Sequence, residues 1–215
     1  MSVNKVSIII VTLLFLVGCQ TARFYTMEKF GVHKRDLLVS DVKKARDSQE
    51  DAKKQFKSAL EKFTSVVKVD GNTLKKKYEQ LNSAFERSES KAVTVKDRIS
   101  SVEDVSKALF REWEIEIKQY SNDNMRDLSQ QQLTETKTRY AKLIGAMKQV
   151  EEKIEPVLAT FKDQILFLKH NLNAQAIASI QNELGSVESD VVSLIKEMET
   201  SIAEANTFID SMSKD

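Results

Sequence analysis

The sequence predicts an all-α protein, an elongated antiparallel up-down-up-down four-helix bundle with coiled-coil-like packing. Three observations predict it. Apolar residues recur at alternating steps of four and three from Leu38 to Met212. Only three short clusters of turn-forming residues interrupt them, and no stretch alternates with the period of two that a strand requires. The composition agrees: 30% of the 215 residues are charged, with only five Gly and one Pro, a balance that suits helix rather than sheet, loop or disorder.

The first seam runs Leu38, Val42, Ala45, Gln49, Ala52, Phe56, Ala59, Phe63, Val66. It stops at Asp70-Gly71-Asn72, where Gly71 suits a left-handed C-cap and Asn72 or Thr73 a new N-cap. The second seam extends from Leu74 through Leu81, Ala92, Ile99 and Leu109 to Tyr120, and Ser121-Asn122-Asp123-Asn124 ends it. A third runs from Leu133 through Tyr140, Met147, Ile154 and Phe161 to Leu172. After Asn171-Leu172-Asn173 the fourth runs from Ile177 through Val187, Leu194 and Ile202 to Met212. Breaks this short place successive helices antiparallel. The helices between them are about 40 to 50 residues, roughly 60–75 Å at 1.5 Å per residue.

Folding the second helix onto the third about residue 122 pairs Ser106 with Tyr140, Ala92 with Ile154 and Ser88 with Val157. Folding the third onto the fourth about residue 173 brings Phe161 beside Gly185. Small side chains facing large ones are what interdigitated layers need. Pro156 removes one hydrogen bond inside the third helix, but the seam passes through it, so a kink is expected rather than a break. Phe161 to Ile165 and Met198 to Ile202 each take a step of four after another, which locally unwinds a left-handed supercoil. Leu60 and Val67 lie off the first seam, either closing the bundle or facing a second chain.

The amino-terminal segment has a different character. A single Lys5 precedes Val6 to Val17, an almost wholly apolar run of about twelve residues, short of the roughly twenty a membrane-spanning helix needs. Leu16-Val17-Gly18-Cys19 resembles the lipobox of bacterial lipoproteins. That resemblance implies a signal peptide at 1–18, cleavage between Gly18 and Cys19, and acylation of Cys19. An ordinary cleaved signal with a chance Cys, or an uncleaved anchor, are the alternatives. The only Cys of the chain nevertheless stands at the position the lipobox requires. Several acyl chains make a stable anchor where one would be marginal. Gln20 stands where, by resemblance, an Asp would retain the protein at the inner membrane, so the expected address is the outer membrane of a Gram-negative bacterium, facing the periplasm. Residues 19–33 then form a lipidated tether, with Gly31 separating a short Phe24–Phe30 piece, and 34–215 the helical domain.

Cleavage removes one of the 33 basic residues and none of the 32 acidic ones, leaving the mature chain balanced. A nucleic-acid surface would need a basic excess. Four scattered glycines remain, too far apart for a phosphate-cradling loop. His33 and His170 fall at opposite ends of the rod, roughly 50 Å apart by helix rise, and neither has a Glu three residues before it, as a helical di-metal site would require. No Ser lies in a Gly-x-Ser-x-Gly elbow. Glu112, Glu114 and Glu116 spread around their helix, and Lys75-Lys76-Lys77 reads as a charged face. The expectation is a non-enzymatic protein without metal or cofactor.

Three segments stand out as candidate interaction sites: His33, Lys34, Arg35 and Asp36 at the start of the first helix; Phe110 and Trp113 near the end of the second; and His170, Asn171 and Asn173 at the tip between the third and fourth. Helix caps and core packing are the plainer reading of each. The stretches Glu28–Asp36, Phe110–Trp113 and Phe167–Gln175 together resemble a family of proteobacterial lipoproteins grouped under a domain of unknown function, over nearly the entire mature chain. The resemblance implies a helical, coiled-coil-like envelope protein with no assigned activity and no catalytic residues to carry over. The functional expectation is a lipid-anchored periplasmic rod that binds another envelope protein. The alternative is a sensor or carrier whose bundle opens near Pro156 to hold a small apolar ligand between Phe161 and Gly185.

Overall fold

The computed structural model describes residues 33–68 and 73–213. The expected signal peptide with Gly18 and Cys19, the expected tether with Gly31, and Asp70-Gly71-Asn72 lie outside the described residues. Four helices make up the rest: α1 (Lys34–Val67), α2 (Leu74–Ile117), α3 (Asp123–His170) and α4 (Ala174–Ser213). They are 34, 44, 48 and 40 residues long. At 1.5 Å per residue they span about 50 to 70 Å.

Each helix packs along two neighbours, α1 on α2 and α4, and α3 on α2 and α4, which makes a four-sided bundle. Numbers rise along one helix as they fall along its neighbour. Lys34 Nζ meets Glu112 Oε1 at 2.8 Å, Lys91 Nζ meets Asp51 Oδ2 at 2.8 Å, and Gln55 Nε2 donates to the Ala84 carbonyl at 2.8 Å. Arg35 Nη2 reaches the Met212 carbonyl at 2.9 Å, and Arg46 Nη1 reaches Asn206 Oδ1 at 3.0 Å. That opposite order is the signature of antiparallel neighbours.

The heptad seams are the core. Every member of the α1 series from Leu38 to Val66 is buried, including Gln49. In α2 the series is buried from Leu81 through Leu109, and Val150, Ile154, Val157 and Phe161 continue it in α3. Burying each large apolar side chain contributes about 1.5–3 kcal/mol, and strips this long offset the entropy of ordering four rods. Leu60 packs against the core and Val67 is buried, so both close the bundle.

The expected layer of Ser106 against Tyr140 forms, with the two side chains adjacent and the Ser106 hydroxyl donating to the Glu103 carbonyl at 2.8 Å. Ala92 and Ile154 likewise line one groove between α2 and α3. Phe161, however, does not pack beside Gly185. It meets Phe63 edge to face, and a Cβ built on Gly185 would touch nothing within 4 Å. The fold-over about residue 173 sets approximate register only, and it left out α1, which lies diagonally across the core.

Pro156 does not break α3, which is continuous across it. The proline is on the exposed side of the helix, where water can reach the carbonyl left without its N–H partner. Val157 and Leu158 are both buried beside it, as a stripe shifting around the helix requires. The expected irregularity in α4 is absent. Ser201 is fully buried and Phe208 nearly so, while Ile202 is only half-buried. The seam therefore runs Met198, Ser201, Ala205, Phe208, Met212 without interruption, and a serine in a core position hides it from an apolar pattern.

The seams also end sooner than their apolar residues suggest. Tyr120 and Leu172 are exposed, because α2 stops at Ile117 and α3 at His170. Asn122 caps α3, accepting from the Met125 N–H at 3.1 Å. Thr73 is the N-cap of α2 but makes no side-chain cap bond.

Candidate interaction surfaces at the two ends of the bundle

Two of the three sequence candidates converge at one end. Lys34, in the first turn of α1, pairs with Glu112 of α2, and Arg35 holds the carbonyl of Met212 near the end of α4. These contacts tie three helices together where α1 begins. His33 is exposed and is the N-cap of α1, with its carbonyl accepting from the Leu37 N–H at 3.1 Å and no side-chain cap bond. Asp36 is exposed in the first turn, where a negative charge suits the helix dipole.

Beside them Phe110 packs edge to face on Tyr140, ring centroids 5.3 Å apart, and Lys137 Nζ lies 5.7 Å from the Phe110 centroid. Trp113 Nε1 donates to Ser129 Oγ at 2.9 Å. The aromatic pair from Phe110 to Trp113 thus pins α2 to α3. Burial pushes the Tyr140 hydroxyl above its usual pKa. Lys137, hydrogen-bonded to Glu114, holds that carboxyl below the usual range.

Beyond this level only α2 and α3 continue among the described residues. Residues 113–117 of α2 and 123–136 of α3 form a hairpin that runs past Lys34 and Met212 by about 20 Å at helix rise. Ile117 and Leu133 are buried on it, whereas Ile115, Tyr120, Met125 and Leu128 are 51%, 41%, 58% and 62% exposed. Sequence reading missed these four. A signal was available, since Met125 and Leu128 fall outside the seam that starts at Leu133.

The third candidate lies at the other end, where α3 turns into α4. Its amides serve the backbone: Asn171 Nδ2 donates to the Phe167 carbonyl at 3.0 Å, and Asn173 Oδ1 accepts from the Ala176 N–H at 2.9 Å. His170 is exposed as the last residue of α3. Beside the exposed Lys169, His170 and Asn173, this end presents three large apolar side chains to solvent: Leu166, Phe167 and Leu172 are 48%, 42% and 40% exposed. Lone exposed apolar residues are ordinary, but three within seven positions at a helix junction make a patch.

A groove of about 370 Å³ lies midway along the α2–α3 face, floored by Ala92, Ile154, Leu158 and Ala159 and rimmed by Glu89, Lys96, Glu151, Glu155 and Lys162. Neither Pro156 nor Gly185 lines it. Among the described residues no three His, Cys, Asp or Glu side chains gather where they could hold a metal ion, and no helix is long and apolar enough to cross a membrane.

An antiparallel four-helix rod with apolar residues exposed at both ends belongs to the class of elongated helical-bundle proteins. More narrowly, residues 23–212 match the family described as protein of unknown function DUF2959, and the chain belongs to that family. No curated protein and no solved structure matches it.

Proposed function

We propose that this chain is a non-enzymatic, lipid-anchored envelope protein, acylated at Cys19 after cleavage behind Gly18 and held at the outer membrane of a Gram-negative bacterium. In this reading the bundle is a rod that faces the periplasm and offers its far end to another envelope protein. The observation that carries it is the exposed trio Leu166, Phe167 and Leu172. That patch stands at the α3–α4 junction, more than 30 residues of helix from the start of α1, or about 50 Å from the rooted end. The lipobox residues and the single Cys support the anchor, and the balanced charge of the mature chain favours contact by apolar packing over electrostatic capture.

The test is a photo-cross-linker placed at Leu166, Phe167 or Asn173 in living cells. A discrete adduct that disappears in Phe167→Asp is the expected result. The reading is overturned if these positions give no adduct while positions along the flanks do. Cys19→Ala, followed by membrane fractionation and labelling with a palmitate analogue, tests the anchor separately.

A second reading takes the α2–α3 groove as the site of a small apolar ligand. Its volume suits a ligand of modest size, and its floor of Ala92, Ile154, Leu158 and Ala159 is apolar. An unchanged melting temperature in the presence of lipid and hydrophobic extracts would count against it.

A further inference from the structure

We infer that the protruding α2–α3 hairpin is a membrane-seating device, with Ile115, Tyr120, Met125 and Leu128 entering the interfacial layer of the bilayer that holds the lipid anchor. The inference rests on the anchored reading above and extends it to a second point of contact. Four of the nine exposed large apolar side chains of the described residues fall within the fourteen-residue span 115–128. They lie on the part of the bundle where α2 and α3 run on past α1 and α4. Met125 and Leu128 are three residues apart on one helix and so share a face.

The occupant follows from where the rest of the chain lies. The described helices begin at His33, at this same end, and the 32 residues before it contain the apolar run Val6–Val17 and the lipobox Cys19. From Cys19 to His33 a tether reaches at most about 45–50 Å extended, more than the hairpin's overhang. A membrane holding Cys19 therefore lies within reach of the hairpin tip. A short tether raises the effective concentration of the tip at the bilayer to the millimolar range, so a contact too weak to bind alone becomes persistent.

Chemistry narrows the surface. Between 115 and 128 the charges are Glu116, Lys118, Asp123, Arg126 and Asp127, two basic against three acidic, and Asp123 pairs with Arg126. A site for anionic headgroups would carry a basic excess. This one suits insertion into a neutral interface, with Tyr120 at the headgroup level where an amphipathic ring is favoured. Seated this way, the rod is held at two points and stands off the membrane instead of swinging on its tether, which fixes the distance at which its far end is offered.

The test uses the mature chain reconstituted in phosphatidylcholine vesicles containing brominated lipid. With Cys19 acylated, Met125→Cys supplies the one free thiol for an environment-sensitive fluorophore, and Ser179→Cys at the opposite end serves as control. Quenching of at least about twofold at 125, with none at 179 and little change on adding salt, is the expected outcome for side chains buried in the interface. Ile115→Asp with Leu128→Asp abolishes it while circular dichroism stays helical. Protein that floats with vesicles but is unquenched at 125 overturns the hairpin proposal and leaves the anchor standing. Protein that does not float overturns the anchor. In that case the same label on the Cys19→Ala chain at millimolar lipid decides the hairpin, quenching sustaining it and its absence overturning it.

Discussion

Phe63 of α1 and Phe161 of α3 meet edge to face across the diagonal of the bundle, ring centroids 5.9 Å apart and planes at 82°. Both are almost completely buried. The contact joins two helices that are not nearest neighbours in the bundle, so it helps set the axial offset of α1 against the α3–α4 hairpin. Either Phe63→Ala or Phe161→Ala is expected to cost about 3–5 kcal/mol, through lost burial and the cavity left behind. The double variant is expected to cost less than the sum, by about 0.5–1.5 kcal/mol, the share of the edge-to-face contact. Urea unfolding of the three variants measures both quantities.

Gln49 places an amide at the centre of the α1 seam, with neither its oxygen nor its nitrogen bonded to any described residue. Ser201, fully buried on α4, has an unbonded hydroxyl as well. The contacts Arg46–Asn206 and Lys53–Glu199 bracket the two at one level of the bundle. Gln49→Leu keeps the shape of the side chain and removes the desolvation cost, so it is expected to stabilise the bundle by about 1–3 kcal/mol. A polar seam residue also restricts register and oligomeric state. The Leu variant should therefore show a higher melting temperature together with mixed species in size-exclusion light scattering. A fall in melting temperature would refute the first half of this expectation.

Alkaline pH is expected to loosen the α2–α3 face. Burial raises the Tyr140 pKa above its usual value, and hydrogen bonds to Glu103 and Glu151 raise that of Lys148. Both groups hold their protons more tightly folded than unfolded. Their contribution is thus complete below the unfolded pKa values near 10 and is lost as pH rises through the higher folded values. Unfolding midpoints measured from pH 8 to 11.5 should fall at the top of this range. Tyr140→Phe should flatten the fall without removing it, because Lys148 continues to titrate.

Gly145 and Gly185 sit inside α3 and α4, and a Cβ at either would meet nothing within 4 Å. Alanine there costs no packing and reduces the freedom of the unfolded chain. Each of Gly145→Ala and Gly185→Ala is expected to stabilise by about 0.5–1 kcal/mol. Because the sites lie on different helices far apart along the rod, the effects should add. Thermal unfolding of the single and double variants checks this. A departure from additivity of more than about 0.5 kcal/mol would mean that the two sites are coupled through the bundle.

Much of the bundle was legible because heptad periodicity is local: an apolar stripe on each helix determines which face turns inward, whatever it meets there. The α1 seam is buried residue for residue on that account. The stripe fails to report polar residues that share the core. Ser201 concealed the continuity of α4 and suggested a shift at Ile202, whereas Gln49 was found only because apolar neighbours flanked it on both sides. The interaction candidates were legible as places but not as chemistry. Asn171 and Asn173 stood out by composition, and their amides turn out to cap helices, whereas the exposed apolar side chains there are Leu166, Phe167 and Leu172.

By itself the sequence determined the number of helices, their order, the inward face of each, and a single Cys in a lipobox-like setting. Tertiary structure decided which layers meet. It put Phe161 against Phe63 instead of Gly185, gathered Lys34, Glu112, Phe110 and Trp113 at one end, and left the α2–α3 hairpin longer than its neighbours. The reason is physical. A stripe sets the rotation of a helix about its own axis, but every heptad looks alike to every other, so sliding two helices by one repeat preserves the pattern. Only the fit of particular side chains across the core, and the lengths of the connections, select the offset that leaves Met125 and Leu128 at the exposed end.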